Sequence, residues 1–258
     1  MKKVSAIDIR QSYTSEKARL DLISWLWGYL VLRPISFHIT PLFINLGFGA
    51  NAVTALGLIL LICGLIFILS GATSPFNFIV GAILVNICYL LDCIDGNIAR
   101  FQGQCSVFGA LFDCIVALIQ EAFLPLCLGL GLYLAGPEQM TLALGVEFPK
   151  WGWLVAGGVE SSSGLFRRVV SLKSQSGVER LVESLEQENL SVPFWAVLPR
   201  AILGFKGPLL LIGSLVGALG LLLLFYAAYN LVILFAMTTL SLRNALLVDR
   251  NSLTEERI

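Results

Sequence analysis

Runs of about 20 apolar residues recur along most of this chain, and no other feature restricts its fold as sharply. A run of that length is what a helix needs to cross the roughly 30 Å hydrocarbon core of a bilayer. Composition agrees: the chain is 57% hydrophobic and only 13% charged, with mean hydropathy +0.85, which excludes an ordinary soluble globular domain. The reading is an all-α integral membrane protein with six transmembrane helices at about 52–70, 77–98, 108–134, 151–167, 207–223 and 226–243. Glu160 with Ser161, Ser162 and Ser163 interrupts the fourth. No charged residue marks the boundary of the last two, because none occurs between Lys206 and Arg243.

Charge asymmetry predicts the orientation. With an even number of spans the termini share a side, and that side holds 16 of the 17 Lys and Arg residues, leaving Lys150 alone on the other. By the positive-inside rule both termini are expected in the cytoplasm. The formal net charge of zero identifies no partner, because charge is sorted by side.

Residues 1–50 form a different zone from the six-helix domain expected over 51–258. Trp25, Trp27, Tyr29 and several Leu and Ile alternate with Ser24, Gly28, Arg33 and Pro34, a pattern suited to an N-terminal interfacial amphipathic helix with aromatic rings at headgroup depth. The apolar run begins after Asp21 and lacks a small-residue cleavage site, unlike a signal peptide. Residues 168–206, which include the charged stretch VERLVESLEQEN, read as a solvated cytoplasmic loop. No internal repeat of the transporter kind is visible. The six cysteines show no CxxC pairing and read as small buried hydrophobes. His38, the single histidine, cannot build a His-based metal site.

Against this background Asp92–Ala117, DCIDGNIARFQGQCSVFGALFDCIVA, is costly. Charged groups inside membrane segments are expensive and tend to be functional. Asp92, Asp95, Gly96, Ala99 and Arg100 share one face at the cytoplasmic end of the second span. Asp113 stands near the start of the third at a similar depth, so the carboxylates can face each other across a helical hairpin turned at Gly103. Like charges so close repel unless a cation lies between them. Mg²⁺ or Mn²⁺ suits carboxylate oxygens, and Mg²⁺ commonly joins protein carboxylates to substrate phosphates. Gly96 and Gly109 leave room for a ligand against the backbone. A structural ion-pair cluster and small-residue helix packing are the alternatives on spacing alone.

The stretch resembles the signature of the CDP-alcohol phosphotransferases (CDP-alcohol phosphatidyltransferases), D-x2-D-G-x2-A-R-x8-G-x3-D-x3-D. Asp92, Asp95, Gly96, Ala99, Arg100, Gly109 and Asp113 match it with no shift in spacing. Upstream, Ala50, Asn51, Ala52, Val53 and Thr54 resemble the family's Pro-Asn-x-x-Thr, with Ala50 in place of Pro. The resemblance implies transfer of a substituted phosphate from a CDP-linked donor, such as CDP-diacylglycerol, to an alcohol, with release of CMP in phospholipid biosynthesis. It implies that Asp92, Asp95 and Asp113 hold one or two Mg²⁺ or Mn²⁺ ions, with Asp113 and Arg100 in the catalytic machinery. Asn51, Thr54, Gly96, Ala99, Arg100 and Gly109 are the implied nucleotide contacts.

The departure is Ala117, where the signature has its fourth Asp. A methyl group neither ligates metal nor takes a proton. Gln120 lies on the face of Asp113 but roughly 10 Å deeper, and Glu121 is turned about 80° away and about 12 Å deeper, so neither takes the missing place. Three explanations stand: an enzyme that uses another base such as Glu160, a chain that binds a CDP-linked ligand without turnover, or a deliberate replacement at this position. Paired intramembrane carboxylates also occur in ion-coupled transporters, although here they sit at a membrane face. Arg167, Arg168 and Lys173 follow the fourth span and can either bind a lipid or acceptor phosphate or anchor the span. The partners expected are a CDP-linked lipid or alcohol donor, a small alcohol or lipid acceptor, membrane lipid and a second copy of the chain in a homodimer, with no nucleic acid.

Overall fold

The computed structural model describes residues 3–136, 149–167 and 202–255, and among them every regular element is helical. In chain order these are α1 (Ala6–Gln11), α2 (Ser15–Ser24), a π-helical turn at Gly28–Leu32 and α3 (Arg33–Asn45). The chain continues into α4 (Ala50–Leu69), a 3₁₀ turn at Ser70–Ala72, α5 (Pro75–Phe101) and α6 (Val107–Ala135). Then come α7 (residues 152–167), α8 (Lys206–Leu215) and α9 (Leu219–Glu255). Most of the expected loop at 168–206, with Arg168 and Lys173, lies outside the described residues.

Four segments among the described residues are long and apolar enough to cross a membrane: Ala50–Ala72, Pro75–Phe101, Val107–Ala135 and Leu219–Ala236. The first three coincide with the first three expected spans. The fourth expected span corresponds to the 16 described residues of α7, which carry Glu160. The last two expected spans are divided differently. No break occurs near residue 225; the helix instead ends at Val216, Gly217 has φ +71°, and the Ala218 amide donates to the Gly213 carbonyl at 2.8 Å. A glycine in this conformation closes a helix with a Schellman turn, so α8 is a short apolar helix and α9 a long one. Gly103 ends α5 in the same way, at φ +64°, with Gln104 N–H on the Ala99 carbonyl at 2.9 Å. Ser106 then caps α6, its hydroxyl accepting from Gly109 N–H at 3.0 Å. These two ends fix the α5–α6 hairpin.

Small residues let the long helices approach. A Cβ on Gly81 of α5 would lie 2.8 Å from the Gly64 carbonyl of α4, and one on Gly129 of α6 would lie 2.5 Å from the Trp153 carbonyl of α7. Without a hydrophobic drive between helices in lipid, such close backbone packing supplies much of the attraction. Leu61, Val85, Leu124, Leu128, Leu210 and Leu223 fill the interior, while Phe76, Phe123 and Phe235 face outward, as expected of surfaces toward acyl chains.

The N-terminal zone differs from the single interfacial helix expected. It is broken into α1, α2 and α3, and part of it packs on the bundle through polar groups. Arg33, Ser36 and Thr40, spaced three and four apart, are buried along the side of α3 that meets Asn97 of α5. Trp25 donates from Nε1 to the Gly204 carbonyl at 3.3 Å and packs against Tyr89 in a tilted ring pair with centroids 5.8 Å apart.

Candidate active site

The α5–α6 hairpin brings the sequence-nominated carboxylates together near its turn. Asp92 lies on α5, and its side chain is within hydrogen-bonding reach of Asp113 on α6. Asp95, one turn along α5, accepts the Thr54 hydroxyl of α4 at 2.6 Å; that hydroxyl also contacts the Ala50 carbonyl at 3.1 Å. Three helices thus contribute to one polar patch. Gly109 belongs to its edge: a Cβ there would stand 3.1 Å from Asn51 Oδ1 and 3.1 Å from Ser106 Oγ, so the glycine keeps α4 and α6 close at their starts.

The donor set suits a hard divalent cation. Asp92, Asp95 and Asp113 offer carboxylate oxygens, and none forms an ion pair with a basic side chain among the described residues. Two carboxylates in contact without such a pair are the arrangement that Mg²⁺ or Mn²⁺ relieves. No three acidic, His or Cys groups among the described residues converge as a ready-made cluster. Asp95 is directed to Thr54, so Asp92 and Asp113 form the nearer pair.

Around this patch several nominated residues have local partners. Arg100 Nη2 donates to Asn97 Oδ1 at 2.9 Å, and its guanidinium lies over Gly96, where a Cβ would be 3.2 Å from Nη1. The space left by that glycine is therefore used by Arg100. Glu121 accepts from Arg167 Nη2 at 2.8 Å and presses on Gly164, where a Cβ would meet Oε1 at 2.6 Å. Glu160 is paired with Lys206 at 2.6 Å. Ala117 is half-buried, one turn beyond Asp113, and neither glutamate is free to take the place of the missing carboxylate. Ser161 and Ser163 are buried; Ser162 and Ser163 donate to the backbone of their own helix, at 2.7 Å to Gly158 and 2.5 Å to Val159, rather than lining an open pocket. His38 is exposed. All six cysteines are free; Cys105, expected to be a buried hydrophobe, is exposed because it lies in the hairpin connection and not on a helix.

Sequence reasoning did not identify the polar network beside the patch. Asn97 is 1% exposed and makes four hydrogen bonds: Oδ1 accepts from Arg100 and from Arg33 Nη1 at 3.3 Å, while Nδ2 donates to Ser36 Oγ at 2.9 Å and Thr40 Oγ1 at 3.1 Å. Arg33 Nε donates to Asp21 Oδ2 at 2.8 Å, as does the Tyr13 hydroxyl at 2.8 Å. Burial opposes ionisation of Asp21, but the Arg33 guanidinium and then Lys17 outweigh it and hold the carboxyl below its ordinary value. The Tyr13 phenol is pushed up by burial and by its bond to Asp21. The signal was the polar spacing of Arg33, Ser36 and Thr40 inside an otherwise apolar stretch.

Comparison with known proteins completes the site. No curated protein matches the chain. A family model described as CDP-alcohol phosphatidyltransferase matches residues 48–158, a span that takes in α4, α5, α6 and the start of α7, with Asn51, Thr54, Asp92, Asp95, Asp113 and Ala117. Residues 48–158 are therefore similar to the CDP-alcohol phosphatidyltransferases, a family of transferases of substituted phosphate groups.

Proposed function

We propose that the chain binds a CDP-linked donor, with Mg²⁺ or Mn²⁺ held by Asp92, Asp95 and Asp113, and passes the donor's substituted phosphate to an alcohol. The observation that carries this reading is the contact of Asp92 with Asp113 across the α5–α6 hairpin, inside the segment that matches the family. In this reading the acceptor oxygen forms a new bond to the phosphorus bearing the donor's alcohol group, the bond from that phosphorus to the CMP oxygen breaks, and CMP leaves. The bound cation would neutralise the diphosphate oxygens. Asn51, Thr54, Gly96, Ala99 and Gly109 border the nucleotide. Arg100, held above Gly96, supplies positive charge on the donor side. Arg167 and Arg168 are the candidate contacts for a lipid or acceptor phosphate, although Arg167 must share itself with Glu121.

The proton of the acceptor hydroxyl is the weak point of turnover. Ala117 cannot take it, and Glu121 and Glu160 are held by Arg167 and Lys206. Binding of the donor with slow or absent transfer is therefore the reading favoured for the chain as it stands. The bilayer arrangement proposed is six spans, with α7 and the α8–α9 region completing the count, and the carboxylate patch at the cytoplasmic face by the positive-inside rule.

The test is metal-dependent CMP release from CDP-diacylglycerol, with a panel of alcohols as acceptors, on the native chain, Ala117→Asp and Asp113→Ala. A restored general base contributes about 10²–10⁴-fold, so Ala117→Asp should release CMP at least about 100-fold faster than the native chain. Asp113→Ala should abolish both release and metal-dependent nucleotide binding. The reading fails if neither the native chain nor Ala117→Asp binds or cleaves the donor.

A further inference from the structure

We infer that Tyr13, Asp21, Arg33 and Asn97 are positioning residues: they clamp the N-terminal segment onto α5 and set the Arg100 guanidinium above Gly96 for an anionic ligand. The inference rests on the donor-binding reading above and extends it to Asn97 and to three residues outside 48–158, Tyr13, Asp21 and Arg33.

The hydrogen bonds fix each member in turn. Ser36 and Thr40 direct their own hydroxyl hydrogens to helix carbonyls, at 2.8 Å to Arg33 and 2.7 Å to Ser36, which leaves their lone pairs to accept from Asn97. The amide nitrogen of Asn97 must therefore face α3, and its oxygen must face the two guanidinium groups. That oxygen receives Arg33 Nη1 and Arg100 Nη2 together. Two cations on one acceptor repel, and only one is neutralised. Asp21 pairs with Arg33 at 2.8 Å and Lys17 at 3.0 Å, whereas no carboxylate among the described residues pairs with Arg100.

Tyr13 lies between them. Its ring centroid is 5.4 Å from the Arg33 guanidinium and 5.9 Å from that of Arg100, so both cations rest on its π face, and its hydroxyl secures Asp21. Arg100 Nε is buried and has no hydrogen-bond partner among the described residues. The result is a guanidinium held from behind, with unspent donors, one turn beyond Asp95 and Gly96. An oxyanion such as a nucleoside diphosphate is the complement of such a group. Preorganising it in this way lowers the cost of fixing a flexible side chain on binding.

The experiment is calorimetric titration of the full-length chain in detergent with CDP in the presence of Mn²⁺, and with Mn²⁺ alone. Asp21→Asn is nearly isosteric, and it should weaken CDP binding about 5–10-fold while changing Mn²⁺ affinity less than about twofold, because the carboxylate patch is untouched. Tyr13→Phe, which removes only one donor to Asp21, should shift CDP affinity in the same direction by a smaller factor. In an Arg100→Ala background the loss caused by Asp21→Asn should shrink to less than about twofold, since groups acting through one residue are not additive. Equal losses in both backgrounds, an equal fall in Mn²⁺ affinity, or unchanged CDP affinity in Asp21→Asn would overturn the inference while leaving the donor-binding reading intact. A native chain that binds no CDP with Mn²⁺ overturns both.

Discussion

At the scale of single residues, Asp21 makes a sharp energetic prediction. It is 4% exposed, held by Arg33, Lys17 and Tyr13, and its carboxyl is shifted below the ordinary value despite burial. A carboxyl with a depressed folded-state pKa contributes stability that is complete above its unfolded pKa and is lost as pH falls through the folded one. The window thus opens below about pH 3.9, the unperturbed Asp value. Thermal unfolding of the native chain in detergent should weaken more steeply than that of Asp21→Asn as pH is lowered from 5 to 2, and the two should run parallel between pH 5 and 7. The same scale shows what sequence could reveal about the site. Asp92, Asp95 and Asp113 were legible because their spacing alone places them on facing helix surfaces at one depth. Asp21 and Asn97 were not, because their significance depends on their meeting Arg33, 12 and 64 positions away along the chain, and no local pattern encodes that.

Helix against helix, glycine sets the distance. Gly129 of α6 and Gly157 of α7 face each other's backbone: a Cβ on the first would lie 2.5 Å from the Trp153 carbonyl, and one on the second 2.6 Å from that of Pro125. Carbonyl groups cannot move aside as a flexible side chain can, so Gly129→Ala and Gly157→Ala should each cost about 1–3 kcal/mol, the usual range for overpacking. Gly158, next in sequence, has none of the described residues within 4 Å of its Cβ position, and Gly158→Ala should leave the unfolding midpoint nearly unchanged. Denaturant or thermal unfolding of the three variants side by side checks this. The end of α8 carries a related lesson. The apolar run from 207 to 243 contains no charge to mark a boundary, and only the positive φ of Gly217 shows where the helix stops. In sequence, Gly217 is one of several glycines in the region, and which of them takes a left-handed conformation follows from the packing of α8 on α5 and α9.

For the molecule as a whole, the C-terminal helices are tied to α7 by charge. Glu160 of α7 and Lys206 of α8 meet at 2.6 Å, with 2% and 12% of their side chains exposed, and the Lys206 ammonium lies 5.9 Å from the Tyr226 ring centroid of α9. Removing one partner of a buried pair strands the other charge, so Glu160→Gln or Lys206→Met alone should destabilise by about 3–5 kcal/mol. Replacing both with apolar residues, Glu160→Leu with Lys206→Met, should restore most of that loss, because neither ion then needs solvation. The unfolding midpoint of the double variant should lie above both singles. A double variant as unstable as the worse single would show that this pair is not what joins α7 to α8.

Taken alone, the sequence determined the membrane-protein class, the helical content and the placing of carboxylates on both arms of the α5–α6 hairpin. Each follows from short-range terms: apolar run length against bilayer thickness, helical periodicity, and the spacing of carboxylates within one motif. Tertiary structure decided which helices are long, where α8 gives way to α9, and that Glu121 and Glu160 are held by Arg167 and Lys206. It also decided that a segment read as a membrane-surface helix sends a buried Asp21–Arg33 pair onto Asn97 of α5, and through it to Arg100. These are long-range pairings, in which buried charges must find partners wherever the fold places them.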